Sequence, residues 1–419
     1  MRIAIIGAGV SGLVAAYLLN RQHEVEIFES RATAGGHANT VLAPQQGCEP
    51  IPLDVGFVVY NERTYPDFSR LLRELEVETQ PSDMSFGVRV EQDDFEFSSR
   101  GLRGYLAQPR NVFSVAHLRM GLEMLRFQRE GRAVLRMRQA LGLPFAAYLE
   151  RRGYSRPFQE RIIIPLIAST WSNAPSDVLG FPTYHLLRFL EQHGVLARNS
   201  IPEWRWIRGG ARSYVQRILE SLQSRAVHLD EPVAQVRRDQ DGVDLSLRRG
   251  DTLRFDAVVL ACHADQALRL LGDPSEDERS ALGGFSYTRN QVALHTDERV
   301  LPRNPHAQAA WNFHITHPRG VPHTLTMSYD LNRLQGIPGD TRYCVSVNPS
   351  EDLDPSRVIA TFDYEHIVYT LETPELQRRV EALQGARRTY YAGAHLGYGF
   401  HEDGAASGIR VAERLGAAS

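Results

Sequence analysis

The sequence predicts an α/β fold built on a parallel sheet, and three observations carry that prediction. Arg2 to Ile6 is a short, β-branched, apolar run of the kind buried inside parallel sheets. It passes directly into Gly7-Ala-Gly9-Val-Ser-Gly12 and an apolar helical stretch, Leu13 to Leu19. Two further runs of the same type come late, Asp256 to Ala261 and Thr389 to Ala394, and each leads into a helical pattern.

Taken in order, the first 37 residues hold the strongest signal. A second strand, Glu24 to Phe28, ends on Glu29, 22 residues after Gly7. Strand, GxGxxG, helix, strand and acid in that order and spacing form the dinucleotide fingerprint of a Rossmann-type unit. Gly7 makes the tight turn, Gly9 lets the backbone approach a pyrophosphate, and Gly12 lets helix pack on strand. Val10 and Ser11 open the helix, whose N-terminus faces the phosphates. Glu29, with Ser30 beside it, takes the ribose hydroxyls. Five residues then separate Glu29 from Gly35-Gly36-His37.

Leu53 to Tyr60 reads as one strand containing Asp54-Val-Gly56 and Phe57. Tyr65 to Leu75 is helical, with Phe68, Leu71, Leu72 and Leu75 on one face. Met84 to Phe97 suggests two strands. Helical patterns follow over 112–152, 162–171 and 184–194, with Pro144 opening a new helix. Trp204 to Ala211 leads into a helix from about Ser213 to Leu222. Short strands come next, around Val227, Val233, Val243 and Leu253, punctuated by Asp241-Gly242. Residues 286–384 look mixed, with strands at 291–295, 324–329 and 343–347 and polar-aromatic patches at Trp311 to His314 and Asn332 to Gln335. The closing strand ends at Gly393. After it, Gly397-Tyr-Gly-Phe-His-Glu-Asp-Gly404 opens a helix to Leu415 and can offer backbone N–H groups to an electron-rich atom.

A chain of 419 residues is long enough for two domains and a large core. Three cysteines without CxxC spacing build no disulfide framework and suit a reducing, cytoplasmic compartment. No signal peptide is expected ahead of a strand that starts at residue 2, and no run nears the ~20 apolar residues of a membrane span. The histidines show no metal-ligand spacing, and nothing points to nucleic acid. All 47 basic residues are arginine, so no lysine can form a Schiff base or serve as a desolvated base. Charge is uneven. Residues 100–161 hold thirteen arginines and four acids, 13 − 4 = +9, which leaves −12 elsewhere against a total of −3. Such a block is either a solvated helical face or a site for an anionic substrate or peripheral contact with an anionic membrane.

The E-x5-G-G continuation resembles the FAD-binding start of the flavin amine oxidase and phytoene desaturase superfamily, although most relatives have arginine where His37 stands. The resemblance extends to Asp54-Val-Gly56, to Val233 and to the closing glycine turn. It implies an FAD whose diphosphate lies along Gly35 and Gly36 and whose ring lies beside Gly56 and Phe57. Val233 meets its adenine, and Gly393, Glu402 and Asp403 lie at its pyrimidine end. It also implies a discontinuous FAD-binding domain (1–80, 205–285 and 385–419: a parallel sheet plus a small antiparallel ribbon). A mixed α+β substrate domain (81–204 and 286–384) completes the chain. The GGH pair, the D-x-G-F-x-V-Y-N run and GYGFHEDG are most similar to a bacterial subgroup linked with modification of fatty-acyl chains. The expected activity is therefore FAD-dependent removal of a hydride from a small-molecule or lipid substrate, desaturation before amine oxidation. The lysine that amine oxidases typically hold near the flavin is missing. So is their aromatic-cage tyrosine: that position holds His401, and Tyr398 is out of register. No catalytic base is assigned. Tyr60, Trp171, Trp311 and Tyr398 are the expected substrate contacts. Leu118, Leu122, Leu125, Phe145 and Trp171 are expected to line an apolar channel ringed by arginines.

Overall fold

The computed structural model describes residues 1–45, 48–139, 142–196, 202–222, 226–316, 324–349 and 352–417. Its centre is a five-stranded sheet in the order Val227–His228, Glu24–Phe28, Arg2–Ile6, Ala257–Leu260, Thr389–Tyr391. Every neighbouring pair in it is parallel. Arg2–Ile6 sits in the middle because both of its faces are apolar and both are covered. The Val10–Leu19 helix is apolar nearly all round and correspondingly buried. Against it lies the C-terminal helix, His401–Arg414, where Gly404 and Gly408 remove the side chains that would hold the two apart.

A three-stranded antiparallel ribbon, Val233–Arg238, Val243–Leu247 and Thr252–Phe255, is stapled to the edge of this sheet. The buried Arg238 guanidinium grips the Glu278 carboxylate with two bonds, at 2.7 and 2.9 Å, and the Tyr391 hydroxyl donates to the same carboxylate at 2.6 Å. Removing Arg238 would leave the buried Glu278 carboxylate without its cation and cost about 3–5 kcal/mol.

The second large sheet has seven strands, in the order Val358–Val368, Ser286–His295, Cys344–Val347, Thr324–Asp330, Trp311–Thr316, Phe86–Val90, Phe95–Ser98. Trp311–Thr316 and Phe86–Val90 pair in parallel, joining segments more than two hundred residues apart. The α/β class expected from the sequence is thus the one the chain adopts, a parallel sheet with a ribbon beside a mixed unit.

Several elements differ from the reading above. Leu53 to Tyr60 is not one strand: Cys48–Asp54 and Val59–Asn61 belong to different small sheets, with Gly56 between them. A Cβ on Gly56 would stand 2.2 Å from the His37 carbonyl, so the chain breaks there to admit that close approach. The predicted 112–152 helical stretch resolves into the end of Pro109–Phe113, then Val115–Arg136 and Phe145–Arg152. Residues 140 and 141 within it lie outside the described residues. Ser114 accounts for one division, its side chain accepting the His117 N–H as an N-cap.

Candidate functional site

The glycine turn after the first strand divides into packing positions and one open position. A Cβ on Gly7, whose φ of +109° already favours glycine, would stand 2.5 Å from the Ala261 carbonyl oxygen. One on Gly12 would stand 2.0 Å from the Gly7 oxygen. At Gly9 a Cβ would meet nothing within 4 Å, and Gly9 caps the Val10–Leu19 helix with no side chain. Gly35 is tied alongside through its N–H to the Ala8 carbonyl at 2.8 Å, and Gly36 passes 3.2 Å from the Gly9 Cα by the same measure. Glu29 faces this turn. Its carboxylate accepts the Ala8 N–H at 2.8 Å, the Arg31 N–H at 2.9 Å and the Ser30 hydroxyl at 3.2 Å. The Glu231 N–H bonds the Glu29 carbonyl at 2.9 Å, two residues before the strand that the buried Val233 opens.

The C-terminal turn converges on the same place from the far end of the chain. A Cβ on Gly404 would lie 2.6 Å from Val10 and 3.1 Å from the Ser11 hydroxyl. The Ser407 hydroxyl accepts the Gly393 N–H at 2.9 Å and lies 3.5 Å from that of Ser11. The Glu402 and Asp403 side chains are both engaged within the protein. Both Glu402 oxygens are taken by the backbone N–H groups of Asp67 and Phe68, at 3.0 and 2.9 Å, capping the Pro66–Glu74 helix. Asp403 folds back to accept the Phe400 N–H at 2.9 Å. Burial pushes their carboxyls up, to about 7 for Glu402 and about 6 for Asp403. Acids at a helix start are drawn to free N–H groups, and here those groups lie within the protein.

These residues fit a dinucleotide. Open space at Gly9 lies before an uncapped helix N-terminus, between a second glycine loop and an oriented carboxylate, which is what a diphosphate and ribose require.

Imidazoles that the sequence left scattered gather next to the glycine pair. The His37 ring lies 4.7 Å from Tyr364 and 5.3 Å from His366, and its Nε2 is buried without a partner. Burial, followed by the neighbouring His366, holds His37 well below the usual imidazole range. His366 is lowered to about 4 by burial and then by His263. The Asn290 amide meets His366 Nδ1 at 2.9 Å, and Asn348 donates to Asn290 at 2.7 Å. Pairing of Ser286–His295 with Val358–Val368 makes this group, and no local pattern could have announced it. Asp54 also turns out to be structural. It accepts from Thr40 at 2.6 Å, Trp206 at 2.7 Å and the Ala211 N–H at 2.9 Å, while burial raises it to about 6.

Of the expected substrate contacts, Trp171 and Tyr398 are brought together, the Trp171 indole donating to the Tyr398 carbonyl at 2.9 Å. Phe189 and Phe400 complete an aromatic wall, with Phe189 4.4 Å from Trp171 and 4.8 Å from Phe400. Trp311 is half-buried on the Trp311–Thr316 strand, its indole N–H unpartnered and its ring against Tyr329. Tyr60 is elsewhere. It is buried in the core against Tyr65 and Phe68, because its strand turns inward after the break at Gly56. The expected channel is corrected too. Phe145 is buried, but Leu118, Leu122 and Leu125 are exposed on the outer face of their helix and line no interior path. Phe57 stacks on His401 at 3.7 Å, and His401 Nε2 is hydrogen-bonded to the Tyr214 hydroxyl at 2.9 Å.

A family model for flavin containing amine oxidoreductases matches residues 10–416. No curated protein matches the sequence. Among solved structures, an engineered double mutant of putrescine oxidase is 14% identical with a TM-score of 0.70, over 99% of both chains. A CLA-producing fatty acid isomerase from P. acnes is 15% identical with a TM-score of 0.69, over 99% of this chain and 98% of that one. Cyclohexylamine oxidase from Brevibacterium oxydans IH-35A is 16% identical with a TM-score of 0.66, over 99% of both. At these identities the likeness to solved structures is one of fold. The family match spans nearly the whole chain and includes both converging helix starts. The chain therefore belongs to the flavin containing amine oxidoreductase family and is an FAD-dependent oxidoreductase.

Proposed function

We propose that the protein removes a hydride from a hydrophobic substrate, fatty-acyl or isoprenoid-like, in a desaturation, as a member of the GGH and GYGFHEDG subgroup. FAD, when bound, supplies the hydride acceptor. In this reading Gly7, Gly9, Val10, Ser11, Gly12, Gly35, Gly36 and His37 hold its diphosphate. Glu29 and Ser30 hold the ribose and Val233 the adenine. Gly56, Phe57 and the turn from Gly393 to Asp403 hold the ring end, the turn through its backbone. The FAD-binding unit comprises 1–80, 205–285 and 385–419, and the substrate unit 81–204 and 286–384. Trp171, Trp311 and Tyr398 orient substrate and exclude water. His366, neutral and fixed through Asn290, packs beside His37 at the glycine pair.

His401 carries the choice of substrate. It stands three residues before Gly404, where an aromatic-cage tyrosine is typical of amine oxidases. Its ring is closed off, stacked on Phe57 and tied to Tyr214. The remaining wall of Trp171, Phe189 and Phe400 gives a hydrocarbon chain an apolar surface to lie against. The positive 100–161 block repels amines and extends the reading to peripheral contact with an anionic membrane. Likeness of fold to a fatty acid isomerase agrees with it. Oxidation of a small or medium amine is the second reading. It is favoured by the half-buried Tyr398 ring, 5.7 Å from Phe189, and by the likeness of fold to putrescine oxidase. Anaerobic screening of acyl, isoprenoid and amine substrates for flavin bleaching decides between them. Bleaching by a hydrophobic chain is expected, and rapid bleaching by a simple amine alone would overturn the first reading.

A further inference from the structure

We propose that the outer face of the Val115–Arg136 helix, with the two short helices before it, is a docking surface for an anionic lipid bilayer. The proposal rests on the hydrophobic-substrate reading and deepens it by naming where the bilayer is met.

Thirteen large apolar side chains are exposed among the described residues, and eight of them lie between Leu102 and Met137. Scattered exposed leucines are ordinary; this concentration is not. Phe113 and Val115, at the junction of Pro109–Phe113 with the long helix, are 85% and 80% exposed. From there, Leu118, Leu122 and Leu125 continue along one face at three- and four-residue spacing, and Leu122 is 68% exposed. The same stripe continues as Arg129, Arg132 and Arg136, which have no acidic partner within 4 Å among the described residues. The opposite face, including Met120, Phe127 and Val134, is buried. The exposed apolar stripe is therefore not the helix's packing face.

Not all of the block's charge is free. Arg110 pairs with Asp94, Arg119 with Glu123, Arg126 with Glu130 and Arg161 with Asp93. Three arginines without an ion pair among the described residues, Arg129, Arg132 and Arg136, fall on the exposed stripe and direct their field outward. No helix among the described residues is long and apolar enough to cross a membrane. A helix with leucines and arginines sharing its outward face lies in the interface plane, apolar groups among the acyl chains and guanidinium groups at the anionic headgroups. A second copy of this chain suits the surface poorly. Parallel pairing of the stripes sets arginine against arginine, and antiparallel pairing sets arginine against leucine. The buried side of the helix packs on Thr183–Gln192, whose Phe189 belongs to the aromatic wall. One helix layer thus separates the docking face from the expected substrate site.

The test is flotation of the FAD-loaded full chain with vesicles of phosphatidylcholine alone or of phosphatidylcholine with phosphatidylglycerol. The chain should bind only the anionic vesicles, and release as ionic strength rises. Arg129→Glu/Arg132→Glu/Arg136→Glu should cut partitioning by about a hundredfold. Leu118→Ser/Leu122→Ser/Leu125→Ser should cut it by about tenfold or more. Flavin content and melting temperature should match the parent, since these side chains are exposed; if either set misfolds, single Phe113→Ser and Arg132→Glu variants replace it. No binding to anionic vesicles at low salt, or equal binding by every variant, overturns the proposal. So does a dimer that the serine variants dissociate, which would make the face a contact between copies. Flavin bleaching by a detergent-dispersed acyl chain keeps the two ideas separable: bleaching without vesicle binding sinks the docking face alone, and vesicle binding without bleaching sinks the substrate reading alone.

Discussion

Gly9 and Gly12 stand three positions apart in one motif and answer to different constraints. Gly12 is held by the protein itself, since a methyl there would press on the Gly7 carbonyl oxygen at 2.0 Å. Gly9 has no protein neighbour within 4 Å of a Cβ and an ordinary φ of −75°. Gly12→Ala should therefore destabilise the fold by about 1–3 kcal/mol through overpacking. Gly9→Leu should leave the melting temperature of the apoprotein near that of the parent and abolish FAD binding. Flavin absorbance after reconstitution, together with thermal melts, separates the two. If Gly9→Leu binds FAD as tightly as the parent, the diphosphate does not lie where the fingerprint puts it. Both glycines were legible in the chain because their roles follow from backbone sterics within a dozen residues. Tyr60 was not. Its aromatic ring suited a substrate wall equally well, and only its packing against Phe68 and Tyr65 places it in the core.

The Pro66–Glu74 helix begins without a cap of its own, and Tyr65 before it supplies none. Glu402, from the C-terminal helix, stands in by accepting two of its N–H groups. Glu402→Ala should cost about 1–2 kcal/mol, the worth of a lost cap, while FAD is retained. The pH dependence has a definite sign. Burial first, with Asp67 and Asp403 adding to it against the two N–H bonds, raises the Glu402 carboxyl to about 7. Between roughly 4.3, the unfolded value, and about 7, the folded chain keeps a proton that the unfolded chain has released. The contribution of this group to stability therefore falls as pH rises through that window. Glu402→Gln should flatten that part of the pH–stability curve, read from denaturant midpoints. A variant curve parallel to the parent's would remove Glu402 as the titrating group.

Across the whole molecule, the two helix starts that meet at the proposed FAD site come from opposite ends of the sequence, near Val10 and near His401. A ligand bound to both links the termini, so it should stabilise the folded state beyond any local effect. At free FAD a hundredfold above its dissociation constant, the gain is about 2.7 kcal/mol. Stripping FAD should lower the melting temperature, and titrating it back should restore the parent value in a concentration-dependent way. An apoprotein that melts with the holoprotein would contradict a site built from both ends.

Local chemistry made the parallel sheet, the glycine turns and most helices legible, because strand runs, caps and tight turns are set by neighbours a few residues away. The break at Gly56 was missed because its cause, the His37 carbonyl, arrives from another loop. The imidazole group around His37 and His366 depends on strand pairing across about seventy residues and on a contact across more than three hundred. The outward leucines of the Val115–Arg136 helix have the same periodicity as a buried face. Which side of an amphipathic pattern meets the core is settled by the neighbours that arrive to cover it. Here Phe127 and Val134 were covered, and Leu118, Leu122 and Leu125 were left to the solvent.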